Sequence, residues 1–331
     1  MNKKKILIID IFDRKRSPYQ NFIYEYLEKI FIVKKLTRIY AFFSLHSVKK
    51  FDIVYFGICH NQIHRKGLER LKLHDLNYVL SKMSKDQILV VDQADTEFFM
   101  KDNSGKQKIE FNRYFQGKKI LLDKLSSNEL KNFAKMNNFI LVQLPWMIKP
   151  EDYKEIDLTA KDIDVAFIST INFGSEFHEK RIDILNNLLI LQKERSDLKF
   201  FISAPPLYPE NTVYGEDYIR ILNRSKVFIA EGSNRLCMTQ KYLEAGLAGC
   251  LIIGDKPLYP ENNIFMKEEL MIETDLTDYT LLDNSISYSI SNYSELSKKI
   301  QKCFLMIKEN HNIENEMKKF IHKILDKTEH N

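Results

Sequence analysis

Ser225 to Asp255 reads SKVFIAEGSNRLCMTQKYLEAGLAGCLIIGD. Two short apolar runs, Lys226 to Ala230 (KVFIA) and Cys250 to Ile253 (CLII), flank a polar loop and a stretch of helical spacing. Branched apolar runs this short and unbroken suit strands buried on both faces of a parallel sheet. Between them the spacing predicts a helix over Gln240 to Ala248, with Thr239 or Ser233 as its N-cap and Gly249 as its stop. The start of such a helix points free backbone N–H groups towards the carboxyl edge of the sheet, a place suited to a phosphate or diphosphate. Arg235 and Lys241 add cations there, and Gly232 lets the loop come close to a ligand. Glu244 follows Lys241 by one helical turn, where a carboxylate can accept hydrogen bonds from ribose hydroxyls. Cation near phosphate and acid near sugar describe a nucleotide site.

The same alternation extends outward in both directions. In the first half, KILIID (Lys5 to Asp10), RIYAFF (Arg38 to Phe43), DIVYFG (Asp52 to Gly57), QILVVD (Gln87 to Asp92), KILL (Lys119 to Leu122) and FILVQL (Phe139 to Leu144) read as strands. Segments of helical spacing, such as Tyr19 to Ile32 and Arg65 to Met83, separate them. The second half repeats the pattern with DVAFIS (Asp164 to Ser169) and KFFIS (Lys199 to Ser203) before the opening stretch. Strands alternating with helices predict an α/β protein with two Rossmann-like parallel-sheet domains facing a cleft. The expected organisation is a first domain over 1–150, a polar linker over 151–161, a second domain over 162–292, and C-terminal helices over 293–331. Those last helices read as one long, charged amphipathic stretch to about Lys327, long enough to return to the first domain.

Composition narrows the class. With 331 residues, 44% hydrophobic and 29% charged, the chain can bury two cores and carries no apolar run long enough to span a bilayer. The basic start MNKKK and the apolar residues after it are interrupted by Asp10, which favours a first buried strand over a secretory signal. Cys59, Cys237, Cys250 and Cys303 are scattered, as expected of reduced thiols in a cytoplasmic protein. A net charge of +5 suits an anionic nucleotide sugar or peripheral contact with the inner face of a membrane, and it does not call for nucleic acid.

The pattern Arg235, Lys241, Glu244, Gly249 within RLCMTQKYLEAGLAGCLII resembles the donor-binding region of GT-B glycosyltransferases, in particular the family-1-like group of spore-maturation-type transferases. IDVAFIST…FHEKRIDIL, from Ile163 to Leu185, resembles the strand, loop and Arg-bearing helix that open the second domain of that group. VQLPWMIKPEDYK, from Val142 to Lys154, resembles the hinge that closes its first domain. The resemblance covers about the second half of the chain. It implies transfer of a sugar from a nucleotide-diphosphate donor to a glycan or lipid-linked acceptor in surface polysaccharide or glycoconjugate synthesis, with no required cofactor and no metal. One departure stands out: retaining members carry two glutamates eight positions apart, and the position eight before Glu244 is Leu236.

The remaining candidates follow from strand ends. Ser169, Thr170 and Gly174, in the loop after the first strand of the second domain, offer hydroxyl and N–H donors to a phosphate, with Arg181 as a nearby charge. Tyr208 to Tyr214 is a candidate border for the base. Deprotonating an acceptor hydroxyl needs a carboxylate or imidazole at a strand end of the first domain, and Asp92, Asp95 and His60 are the leading candidates, with Asp10 and Asp13 beside them. His60 and His64 have the spacing of a metal pair but no third ligand nearby. The rival readings are a non-catalytic nucleotide- or glycan-binding protein of the same fold and a nucleotide-sugar epimerase. A dehydrogenase is disfavoured because no G-x-G-x-x-G follows a predicted strand.

Overall fold

Each half of the chain builds its own parallel sheet in this computed structural model. The structure describes residues 3–10, 18–36, 48–58, 77–93, 111–123, 128–144, 146–148, 153, 156–171, 178–209, 211–232, 236–261 and 263–325. The chain divides into two units, one comprising Met1–Pro145 with Glu314–Asn331, the other Trp146–Ile313.

The first unit contains β1 (Lys5–Asp10), β2 (Ile32–Leu36), β3 (Ile53–Ile58), β4 (Ile88–Gln93), β5 (Lys118–Asp123) and β6 (Ile140–Gln143). They lie in the order β2-β1-β3-β4-β5-β6, and every pairing is parallel. Helices α1 (Pro18–Ile30), α2 (Phe111–Tyr114) and α3 (Asn128–Met136) connect them. Val54, Phe56, Leu89, Val91 and Leu121 pack with Phe111, Phe115, Leu130 and Phe133 in one buried core. Phe111 meets Phe139 edge to face at 4.9 Å, a favoured geometry for aromatic pairs.

One expectation changes here, and RIYAFF lies outside the described residues. A strand beside β1 is IVKKL, whose Ile32 the helical spacing of Tyr19 to Ile32 assigns to a helix. Lys34 and Lys35 disguise it; they are tolerated because β2 is an edge strand, and Lys35 pairs with Glu28 of α1 at 2.6 Å.

The second unit contains β7 (Ile163–Ile168), β8 (Phe200–Ser203), β9 (Ser225–Ala230), β10 (Leu251–Gly254) and β11 (Ile272–Glu273), again all parallel, in the order β11-β10-β9-β7-β8. Its helices are α4 (Glu179–Glu194), α5 (Glu216–Arg224), α6 (Gln240–Leu247), α7 (Ile264–Lys267), α8 (Tyr279–Ser291) and α9 (Ser297–Asn310). Both faces of the sheet are covered. Val227 and Ile229 point into a core with Ile184 and Leu188 of α4 and Leu282 and Ile286 of α8. Phe228 and Ala230 point the other way, into a core with Tyr242 and Leu243 of α6 and Ile307 of α9. That double burial is why KVFIA and CLII are continuous apolar runs and not alternating ones.

Local chemistry fixes α6 between its strands. Gly249 has φ +69°, the left-handed position that ends a helix at low steric cost. Cys250 N donates to Ala245 O at 2.9 Å and Gly249 N to Gly246 O at 3.1 Å, the paired bonds of a Schellman stop. Gly246 serves packing: a Cβ there would stand 2.3 Å from Ile307 Cδ1, so its absence lets α9 lie close.

The long amphipathic C-terminal stretch is built as two helices that break at His311 and Asn312. After α9, His311 O accepts from Ile148 N at 3.2 Å, and His311 Nδ1 lies 2.9 Å from Trp146 O. The last helix, α10 (Ile313–Leu325), then falls within the first unit. Among the described residues, no helix is long and apolar enough to cross a membrane.

Candidate functional site

The strand order of the second sheet reverses direction at β7. From β7 the chain goes first to β8 on one side, then crosses to β9 on the other. In open parallel sheets the loops at such a switch point part, leaving a crevice outside the carboxyl ends of the strands. Ser169 and Thr170 follow β7, Glu231 and Gly232 follow β9, and Asp255 follows β10, so all five stand at that edge.

Lys241, in the first turn of α6, reaches back to this edge. Its ammonium donates to Ser169 Oγ at 2.8 Å and to Glu231 Oε1 at 3.2 Å. Arg181 Nε on α4 lies 2.8 Å from the same Glu231 Oε1, as an ion pair without hydrogen-bond alignment. Arg181 Nη1 donates to Thr170 O at 2.8 Å, and Ser169 Oγ completes the set 3.3 Å from Glu231 Oε1. The neighbouring Lys180 pairs with Asp255 Oδ1 at 2.7 Å, while Gly232 N lies 3.3 Å from Asp255 Oδ2. Burial pushes the Lys241 ammonium down to about 8; the Glu231 carboxylate opposes that shift and Arg181 adds to it.

Glu244 lies one turn further along α6 and is held separately. Tyr218 of α5 donates its hydroxyl to Glu244 Oε2 at 2.7 Å, and Gln240 Nε2 donates to Oε1 at 2.8 Å. Burial raises the Glu244 carboxyl, against the Tyr218 hydrogen bond and the Lys241 charge, which lower it. Thr239 occupies the N-cap position of α6 but its side chain makes no cap hydrogen bond. The expected Thr239 cap is therefore corrected: its buried Oγ1 has no hydrogen-bond partner.

Of the residues singled out in the sequence, the structure brings together Lys241, Ser169, Thr170 and Arg181, with Gly232 beside them. Gly232 O accepts from Cys237 N at 2.7 Å, and a Cβ at this glycine would stand 3.1 Å from Leu236 Cα. Leu236 and Cys237 thus lie close over it. Arg235, Gly174, Asp95, His60, Asp10's side chain and Asp13 lie outside the described residues. Asp92, at the end of β4, is fully buried, and its Oδ2 accepts from the Tyr55 hydroxyl at 2.6 Å. Tyr208 pairs through its backbone with Ala204, and Tyr214 is exposed.

Sequence reading missed Glu231, Asp255, Lys180 and Tyr218. The first two carry a signal: Glu231 directly follows KVFIA and Asp255 follows CLII after one glycine, both at the carboxyl edge that a parallel sheet reserves for ligands. Among the described residues, no group of three or more His, Cys, Asp or Glu is arranged to hold a metal ion.

No family model matches the chain, and no curated protein matches it in sequence. Solved structures do match in fold over nearly the whole length. An α-glucosyltransferase, solved with UDP and a 13-mer DNA containing an HMU base, superposes with a TM-score of 0.68 at 9% identity, covering 98% of this chain and 100% of that one. HepE of Anabaena, solved with UDP and glucose, gives 0.60 at 10% identity over 97% and 99%. WaaG, described as a glycosyltransferase involved in lipopolysaccharide biosynthesis, gives 0.56 at 11% identity over 97% and 99%. At such identities the likeness is one of fold. The chain has the two-sheet α/β architecture of the GT-B glycosyltransferases.

Proposed function

We propose that this protein is a glycosyltransferase that moves a sugar from a nucleoside-diphosphate donor to an acceptor hydroxyl. The observation that carries the reading is the convergence of Lys241, Arg181 and Ser169 at the β7/β9 switch point. Two cations share one buried carboxylate beside the first turn of α6, an arrangement suited to a diphosphate.

Transfer breaks the bond between the anomeric carbon and the diphosphate, and negative charge grows on the departing oxygen. Lys241 and Arg181 stabilise that charge, with Ser169 holding the Lys241 ammonium and Thr170 and the loop carrying Gly174 assigned as further donors. Arg235 belongs to the same loop as Gly232 and is assigned to the same diphosphate. These cations supply the charge neutralisation that a divalent ion supplies in other transferases, so no metal is assigned to the reaction. Glu244, oriented by Tyr218 and Gln240, takes the ribose hydroxyls.

The first unit is assigned the acceptor. The chain leaves β3 at Ile58 and β4 at Gln93, leading to His60 and Asp95, the proposed sources of the acceptor-activating base. The resemblance of RLCMTQKYLEAGLAG to spore-maturation-type transferases supports a glycan or lipid-linked acceptor in surface polysaccharide synthesis, handled at the inner face of a membrane.

The test is a thermal-shift panel with UDP, GDP, CDP, ADP and NAD⁺ on wild type and Lys241→Ala. A ligand that binds only the folded protein raises its melting temperature by mass action. Stabilisation by one nucleoside diphosphate, lost in Lys241→Ala, supports the reading; stabilisation by NAD⁺ alone overturns it. Slow donor hydrolysis without acceptor then separates a transferase from a binding protein.

A further inference from the structure

Glu231 is 1% exposed and lies directly after β9, yet it is charged and faces two cations. A structural ion pair needs one cation for one carboxylate. Here a single oxygen, Oε1, has Arg181 Nε at 2.8 Å, Lys241 Nζ at 3.2 Å and Ser169 Oγ at 3.3 Å. Those three groups come from α4, α6 and the end of β7, so one atom ties together three elements. Among the described residues the adjacent Lys180 is matched by Asp255, so Lys241 and Arg181 share Glu231 as their common carboxylate.

We propose that Glu231 is the positioning residue of the anion site, holding the Lys241 ammonium and the Arg181 guanidinium side by side at the switch point before a diphosphate arrives. The proposal rests on the donor-site reading above and deepens it. A carboxylate this buried cannot swing out to meet a ligand, so it is a fixed counter-charge. Without it, two cations brought this close repel each other and lose the shared oxygen that sets their spacing. Two of the three Lys241 donors are taken by Ser169 and Glu231, which leaves one for a ligand among the described residues. Arg181 is pinned through Thr170 O as well, so its fork is set before binding.

Glu231 also sets the charge state of Lys241. The groups acting on that ammonium are Glu231 from the end of β9, Arg181 from α4 and Glu244 from its own helix. The two acids favour the charged amine; Arg181 and burial oppose it. Replacing Glu231 with a neutral amide therefore makes Lys241 give up its proton at a lower pH.

The experiment measures dissociation constants for UDP and for inorganic pyrophosphate by calorimetry, between pH 6.5 and 9, on wild type, Glu231→Gln and Glu231→Asp. Comparing each variant with wild type at the same pH cancels the titration of the ligands themselves. The expected result for Glu231→Gln is a dissociation constant several-fold above wild type already at pH 6.5, from the lost spacing of the two cations, and a ratio that climbs further with pH, its onset moved down by on the order of one pH unit. Glu231→Asp keeps the charge and is expected to keep the wild-type profile. A ratio that stays flat across the range overturns the proposal, since a purely structural loss does not depend on pH. Failure of both variants to fold also overturns it, by making Glu231 a folding residue. If pyrophosphate binds wild type and no nucleotide does, the donor reading fails while the pyrophosphate ratios still decide on Glu231. If neither anion binds wild type, there is no anion site to position and the proposal falls.

Discussion

Tyr218 Oη donates to Glu244 Oε2 at 2.7 Å, joining α5 to α6 beside the candidate diphosphate site. Burial drives the Tyr218 phenol well above its ordinary range and raises the Glu244 carboxyl, so at neutral pH the phenol is a fixed donor to an acid that is costly to keep charged. The hydrogen bond offsets part of that cost and leaves Glu244 able to accept from ribose.

Glu244→Ala is therefore expected to weaken UDP binding by about 1.5–3 kcal/mol, the worth of hydrogen bonds to a charged group. Pyrophosphate, which has no ribose, should bind the variant as it binds wild type at a pH well below about 8, where Lys241 is charged in both proteins. Tyr218→Phe should produce a smaller loss with the same selectivity. Calorimetry with the two ligands checks both. Equal losses for UDP and pyrophosphate would remove Glu244 from the ribose and return it to a supporting role.

The pH dependence of binding follows from Lys241. Its ammonium titrates at about 8 in the unliganded protein, chiefly because of burial. A bound diphosphate favours the charged amine, so binding takes up a proton once the pH passes that value. UDP affinity should then fall above about pH 8, with a limiting slope of about tenfold per pH unit for one linked proton. The sign for stability is the reverse of the usual lysine case. Because the folded value lies below the unfolded one, the charged amine costs folding free energy below about 8, and that cost is relieved as pH rises towards the unfolded value. Calorimetry in buffers of different ionisation heat reads the uptake directly. Proton release on binding, or none, contradicts this assignment.

Much of this was legible in the sequence because double-sided burial writes itself as unbroken apolar runs. KILIID, QILVVD, KVFIA and CLII all became strands within a residue or two of where they were read. What hid was burial of charge. IVKKL is a strand whose lysines an edge position tolerates, and Glu231 looks like the first residue of a polar loop until the sheet places it between Lys241 and Arg181. Single-residue polarity reports solvation only on average; which partner neutralises a buried charge is set by elements far apart in sequence. Arg181 and Glu231 are fifty positions apart and meet only because β7 and β9 are neighbours.

Gly249 joins the helix to the strand that follows. At φ +69° any side chain is strained, and a Cβ would stand 2.6 Å from Ile156 Cγ2. Gly249→Ala should lower stability by about 1–3 kcal/mol from the backbone term alone, with further loss from the contact with Ile156. Denaturant unfolding reads the change. A variant as stable as wild type would mean that the Schellman stop relaxes without loss.

Lys161 supplies the last test. It ends the polar linker over 151–161, yet it is 6% exposed, and its ammonium donates to Ser225 O at 2.8 Å, Ala248 O at 2.9 Å and Asn223 O at 3.2 Å. These carbonyls lie at the end of α5, the start of β9 and the end of α6, so one side chain ties together three element termini. Burial lowers the Lys161 ammonium, showing that the charge is held against a desolvation cost. Lys161→Met removes that cost but leaves three inward-facing carbonyls short of a donor, at about 1–3 kcal/mol for each buried group left unsatisfied. The unpaired carbonyls outweigh the relieved charge, so the variant should unfold at lower denaturant. It should also lose UDP stabilisation in proportion to α6 displacement, since Ala248 caps the helix that carries Lys241 and Glu244. Lys161→Arg, which keeps a charged donor, should recover part of the loss; equal stability of the methionine variant and wild type would show that water or local rearrangement satisfies those carbonyls instead.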